Sequence, residues 1–297
     1  MMAALARSAQ RAYPSEAQRP CIPDAGAIAA SAVHCLLLEL ETWPKPGLVS
    51  HIDPGSHDDM DADTFRVSVS AIEPYFHALA EAGACGCGMG RLRNIGLDAE
   101  AAMLVATSGV NTHRGAIFGM GLLCAAAGAR AAARIDPTLW LGATVSQLWG
   151  SSILDGPVLL RSHGTRARRR FGAGGARMEA AQGFPSVYEV GLPALRRGAR
   201  KAPDDAEAAR VEVCFALIAA LEDTNLLHRG GVPGLRFARR AAQRFLDEGG
   251  VGRPGWRERA RSVHKSFVSR WLSPGGSADL LAMTLFVNAL ESRVALP

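Results

Sequence analysis

Apolar residues return every three to four positions along most of the chain, and sustained alternation of apolar and polar residues is hard to find. The first period belongs to helices with one buried face; the second would mark half-buried strands. The pattern predicts an all-α protein of about ten helices, near Asp24–Glu41, Asp61–Gly83, Asp98–Ser108, Thr112–Ala133, Leu139–Gly150, Ser186–Gly198, Asp205–Asp223, Leu235–Glu248, Trp256–Trp271 and Ser277–Val294. Glycine and proline mark the breaks between them, at 43–55, 83–90, 172–175, 229–234, 249–255 and 274–276. No repeat of 20 to 50 residues is present, which argues against a solenoid. The expected organisation is a poorly ordered segment over residues 1–22 and a single helical catalytic domain over 23–297, with its site at the helix ends.

Composition sharpens this picture. With 297 residues and 48% hydrophobic content, the chain can build a sizeable core. No run of about 18 uncharged apolar residues exists, and the first residues lack the apolar segment of a signal peptide. The six cysteines are scattered and the expected state is free thiols, so a cytoplasmic location is expected. Net charge is +5, with arginines concentrated over residues 161–170 and again around Arg196 to Lys201. Such clusters suit a polyanion, either nucleic acid or a polyphosphate nucleotide. With 6% aromatic residues there are few stacking platforms for bases, and the acids share their motifs with the bases, so a nucleic-acid binder is the weaker reading.

Glycine-bounded polar clusters stand at the ends of the predicted helices. The first joins Glu39 to Lys45, one of three lysines in the chain and held between two prolines, and then to His57, Asp59 and Asp61. Carboxylates beside a histidine can bind a hard cation or accept a proton, although Asp59 or Asp61 also suits a helix cap. The second is Asn111-Thr112-His113-Arg114, where a capped helix start doubles as an anion seat. In the third, Gly174 and Gly175 precede Arg177 and Glu179; glycines let a ligand approach the backbone and arginine grips phosphate. The fourth, Glu222, Asp223, Asn225 and Arg229, closes an apolar helix, and acids at a helix C-terminus oppose its dipole unless a cation compensates. That misfit makes Asp223 the favoured metal ligand. The last, Ser277 with Asp279, also reads as ordinary helix-start chemistry.

Taken in order, PKPGLV (44–49) after Glu39, GSHDDMD (55–61), NTHRGAIF (111–118), GARMEAAQGFP (175–185), EDTNLLHRGG (222–231) and GGSADLLAMT (275–284) resemble the triphosphoribosyl-dephospho-coenzyme A synthase family. The resemblance implies an all-helical transferase that joins ATP to 3′-dephospho-CoA with release of adenine, giving the prosthetic-group precursor for the acyl-carrier subunit of malonate decarboxylase or citrate lyase. Stand-alone length favours the malonate decarboxylase branch. It further implies Mg²⁺, hand-over of the product to a transferase that loads the carrier protein, and no membrane or nucleic-acid partner. A homodimer is only the common expectation for a soluble enzyme.

An oxocarbenium-like transition state would then need three services. Lys45, Asn111, Thr112, His113, Arg114, Gly174, Gly175, Arg177, Asn225 and Arg229 are candidates for holding the nucleotide, and Asp59, Glu222 and Asp223 for Mg²⁺. Glu39, His57 or Asp59 is the candidate base, and Glu179 or Asp279 the acid that protonates adenine. A Mg²⁺-dependent helical hydrolase of ADP-ribosyl or nucleotide groups would use the same residue types and is the runner-up.

Overall fold

The computed structural model describes residues 25–156 and 175–292. Among them are eleven α-helices and no strands. They are α1 (Ala25–Leu40), α2 (Ala62–Ala84), α3 (Met89–Ala106), α4 (Arg114–Ala131), α5 (Leu141–Asp155), α6 (Gly175–Ala181), α7 (Leu192–Lys201), α8 (Ala206–Ala220), α9 (Thr224–Asp247), α10 (Trp256–Val268) and α11 (Gly275–Glu291). A π-helical turn, Ser186–Gly191, leads directly into α7. The expectations for residues 1–22, for Gly174 and for the arginine run at 161–170 lie outside the described residues.

Helix α4 between Ala116 and Ala129 and helix α8 between Val211 and Ile218 are buried on nearly every side and form the centre, as predominantly apolar helices do. Small residues let α2 lie against α4. A side chain on Gly83 would overlap the Ala125 carbonyl, and one on Gly128 the Ala80 carbonyl. One continuous cluster of buried side chains, from Ala25 on α1 to Val287 on α11, joins these helices. The buried Glu212 on α8 accepts from Arg197 Nε (3.0 Å), Lys201 Nζ (2.7 Å) and the Val251 N–H (3.2 Å), tying α7 and a short 3₁₀ turn to the centre. The five described cysteines, Cys35, Cys85, Cys87, Cys124 and Cys214, are free. No described helix is long and apolar enough to cross a membrane.

Several boundaries differ from the sequence expectation for identifiable reasons. Helix α3 begins at Met89 rather than Asp98, because Met89, Leu92, Ile95, Ala99 and Met103 form one buried stripe that overrides the low propensity of Gly90 and Gly96. Helix α6 falls in a stretch read as loop. Chain direction changes at Gly231, whose φ of 59° and ψ of −163° only glycine adopts readily. This kink lies inside the expected break at 229–234, but an extra helical turn, starting at Thr224, precedes it.

That extra turn overturns the reading of Asp223. Helix α8 ends at Ala220, so Asp223 is no misplaced acid at a C-terminus; it is the N-cap of α9. Its Oδ1 accepts from the N–H groups of Asn225 (2.9 Å) and Leu226 (3.3 Å), where the helix dipole favours negative charge.

Candidate active site

Four of the six sequence motifs, spread over more than two hundred residues, meet where α1 ends and where α4, α9 and α11 begin. The meeting depends on close approach. A side chain on Gly275 would lie 2.6 Å from Asn225 Nδ2, and one on Gly276 would lie 3.1 Å from Asp223 Oδ2. At Gly115 in the first turn of α4, an added Cβ would overlap Asp279 Oδ2. Gly175, at the start of α6, faces Thr224.

Asp223 links two of these helices. While its Oδ1 caps α9, its Oδ2 accepts from the N–H (2.9 Å) and hydroxyl (3.1 Å) of Ser277 at the start of α11. Asp279, one turn along α11, has the Ala116 N–H of α4 directed at it. Glu39, in the last turn of α1, is ion-paired with Lys45, whose Nζ also donates to the Glu39 carbonyl (2.6 Å). Lys45 is fully buried and Glu39 nearly so. Two further groups shape the loop that carries Lys45. His264 Nδ1 lies 2.7 Å from the Lys45 carbonyl oxygen and its Nε2 3.1 Å from Asp53 Oδ1. At Gly47, with φ of +68°, a side chain would overlap the Leu272 carbonyl, so only glycine passes there.

The buried Glu39 and Asp223 act electrostatically on Asp279. Burial pushes the Asp279 carboxyl well above the usual carboxylate range, and the charges of Glu39 and Asp223 push it the same way. Burial also raises Asp223 against the opposing effect of its four donors, and raises Glu39 against the opposing charge of Lys45. Two of the three are chemically occupied, Glu39 by Lys45 and Asp223 by its caps. Asp279 is the acid with spare acceptor capacity. Around them the first turns of α4, α9 and α11, including Arg114, Thr224, Asn225, Gly275 and Asp279, remain partly exposed.

His113, immediately before α4, is buried, with a 4% exposed surface. Burial, reinforced by the Lys45 charge, lowers its pKa to about 3. It is therefore neutral at physiological pH. Its cap role falls to Asn111, whose side chain accepts the Arg114 N–H (3.2 Å). Thr112 donates to Ser68 Oγ (2.7 Å) on α2, and Arg114 Nε donates to Glu100 (2.8 Å).

A second group forms a rim. Arg229 donates to His57 Nδ1 (3.1 Å) and to the Ser56 carbonyl (2.8 Å), and His57 Nε2 lies 2.9 Å from Ser273 Oγ. Asp59 is exposed, 3.5 Å from His57 Nδ1. Burial and the Arg229 charge lower the His57 pKa. With Nδ1 facing an arginine donor, this histidine is occupied rather than free to take a proton.

Other candidates stand apart. Both oxygens of Glu179 accept from Ser186, from its N–H (2.7 Å) and its hydroxyl (3.0 Å), so Glu179 caps the π-helical turn. Arg177 Nε donates to the Ile153 carbonyl (3.0 Å), closing the C-terminus of α5. The expected metal ligands do not converge: Asp223 is buried with both oxygens engaged, whereas Asp59 and Glu222 are exposed. Among the described residues no three His, Cys, Asp or Glu side chains could together hold a metal ion.

Sequence reasoning passed over Ser68 and His264. Each is an ordinary helix residue far along the chain from its partner, and only the fold pairs Ser68 with His113 and His264 with Lys45.

An all-helical protein that brings carboxylates and a buried lysine together where α1 ends and where α4, α9 and α11 begin has the residue types that enzymes acting on anionic substrates use. The family model for ATP:dephospho-CoA triphosphoribosyl transferase matches residues 25–296, and the chain belongs to this family of transferases. It is 41% identical over 271 residues, 90% of this chain and 92% of the relative, to a protein of Azotobacter vinelandii named "Probable 2-(5''-triphosphoribosyl)-3'-dephosphocoenzyme-A synthase". A Stutzerimonas stutzeri protein of the same name is 37% identical over all of this chain and 99% of its own length. The Pectobacterium atrosepticum protein named "2-(5''-triphosphoribosyl)-3'-dephosphocoenzyme-A synthase" is 38% identical over 84% of this chain and 85% of its own. No solved structure matches.

Proposed function

We propose that this chain joins ATP to 3′-dephospho-CoA at the acid cluster, releasing adenine and forming 2′-(5″-triphosphoribosyl)-3′-dephospho-CoA. The observation that carries the reading is the gathering of Glu39, Asp223 and Asp279 beside Lys45, with burial raising all three carboxyls. In the reaction the bond from the anomeric carbon to adenine breaks, and a bond from the same carbon to a ribose hydroxyl oxygen forms. The hydroxyl proton leaves and adenine gains one. A carboxyl raised above its ordinary range can hold and deliver a proton, and its anion stabilises an oxocarbenium-like ribosyl group. Asp279, the acid with spare acceptor capacity, is assigned as the proton donor to adenine in preference to Glu179, which Ser186 occupies.

Arg114 and Arg229, on the partly exposed rim, are assigned to phosphate, with Mg²⁺ arriving on the triphosphate of ATP as part of the substrate. The product is assigned to the malonate decarboxylase system, through a transferase that loads the acyl-carrier subunit. The test is mass spectrometry of protein with Mg·ATP, with and without 3′-dephospho-CoA. Adenine and the triphosphoribosyl product are expected only when 3′-dephospho-CoA is present. Cleavage of ATP without it would favour the hydrolase reading.

A further inference from the structure

We propose that the groove between α7 and α9, floored by α8, binds the diphosphate and the uncharged arm of 3′-dephospho-CoA. The proposal rests on the site reading above. The groove has a volume of about 610 Å³, within the range of about 300–1,000 Å³ that small-molecule sites occupy. Its walls are basic and its floor is apolar. Arg197 and Lys201 line it from α7 and Arg239 from α9, with Ala216 and Ala219 of α8 between them. Each cation is pinned at one point. The buried Glu212 carboxylate accepts from Arg197 Nε (3.0 Å) and Lys201 Nζ (2.7 Å), and the Ala219 carbonyl accepts from Arg239 Nε (2.9 Å). Both guanidinium groups keep their Nη atoms without a partner among the described residues, and that pair of donors suits two oxygens of one phosphate. Three cations against the carboxylates of Glu212 and Asp247 leave the lining one unit positive. The α7 wall is fixed by close packing, since a side chain on Gly198 would lie 2.7 Å from Ala209 Cα.

Position selects the ligand. Ala220 lines the groove and Asp223 of the acid cluster follows three residues later, no more than about 11 Å along the chain. Residues 219–222 are partly or fully exposed, so open surface joins the groove to the first turn of α9. Beyond its reacting ribose 3′-dephospho-CoA carries a diphosphate and then a long uncharged arm, whereas ATP carries only the charged triphosphate. With that ribose at the acids, the diphosphate and arm must run out over the neighbouring surface. The groove offers cations for the first and an apolar floor for the second, while Arg114 and Arg229 are left for the triphosphate. Arg197, Lys201 and Arg239 are then binding residues that touch no reacting atom.

The experiment is calorimetric titration of the full chain, separately with 3′-dephospho-CoA and with Mg·ATP. Two variants change the groove in different ways: Arg239→Ala removes a cation, and Ala219→Leu fills the floor at the partly exposed end of α8 without altering charge. Each is expected to raise the Kd for 3′-dephospho-CoA about tenfold, the size of one lost charge-assisted hydrogen bond or a blocked apolar contact, and to leave the Kd for Mg·ATP within about twofold. In turnover the same variants should raise the KM for 3′-dephospho-CoA with kcat unchanged, as loss of uniform binding does. Unchanged affinity for 3′-dephospho-CoA in Ala219→Leu overturns the proposal, even if Arg239→Ala fails to fold. Equal weakening of Mg·ATP also overturns it, because the groove would then hold the triphosphate. If the variants bind 3′-dephospho-CoA as wild type does while wild type releases adenine, this inference fails and the site reading stands. If they weaken it as expected but wild type releases no adenine from the two substrates together, the groove assignment stands and the site reading fails. A wild type that binds neither ligand ends both.

Discussion

Replacing Asp223 with alanine should unfold the junction of two helices at once. The substitution removes the acceptor for the Asn225 and Leu226 N–H groups of α9 and for the N–H and hydroxyl of Ser277 on α11. Losing the cap of α9 costs about 1 kcal/mol, and each buried donor orphaned at Ser277 costs about 1–3 kcal/mol. Removing a carboxylate that burial disfavours returns part of this, so the net loss should be about 3–5 kcal/mol. At about 2–4 °C per kcal/mol for a chain of this size, Tm should fall by about 10 °C. Urea unfolding followed by circular dichroism measures the loss directly. Ser277→Ala removes only the hydroxyl and should cost about 1 kcal/mol; because the two side chains touch, a double-mutant cycle should return a coupling of similar size. A loss below about 1 kcal/mol for Asp223→Ala would refute the double-cap reasoning and reopen the reading of Asp223 as a solvent-facing ligand residue.

Two further outcomes follow from the neighbouring acid. Burial raises the folded-state carboxyl of Asp279 above its unfolded value of about 3.9, so the folded protein holds that proton longer, and stability falls as pH rises from about 4 through the raised value. Asp279→Asn should therefore lose less Tm than the wild type between pH 5 and pH 8; thermal melts at both pH values check this, and a wild type that loses no more than the variant counts against a raised carboxyl. Gly115→Ala places a methyl group on top of Asp279 Oδ2 and should cost about 1–3 kcal/mol, relieved when Asp279→Ala is added in the same chain. Equal stabilities for the single and double variants would show that the two residues do not press together.

The helical class was legible because it rests on a period repeated over the whole chain, and burial on nearly every face of α4 and α8 follows from the same apolar runs. Boundaries were less so. The start of α3 hides behind glycines, and the chain direction through 221–234 depends on whether Asp223 ends one helix or begins the next, a choice that three residues of extended backbone decide. The motifs themselves were visible as polar islands bounded by glycine, and the glycines at 115, 275 and 276 proved to be points of contact between islands. What could not be read was the electrostatic state inside the junction. Histidine followed by arginine looks cationic in a string of letters, yet His113 is buried against Lys45 and neutral. Glu179 and Arg177 share a motif with the site residues, but hydrogen bonds to Ser186 and to the end of α5 engage them elsewhere.

The central claim is that the acid cluster at the helix junction is where adenine leaves the ribose, with Asp279 supplying its proton. Adenine release from Mg·ATP and 3′-dephospho-CoA, followed by mass spectrometry for wild type and Asp279→Asn at matched folded concentration, tests it most directly. The account predicts a rate lowered by about 10²–10⁴-fold, the range for a lost general acid, in a variant that melts no lower than wild type at pH 8. A variant that releases adenine within about threefold of the wild-type rate would place the chemistry somewhere else.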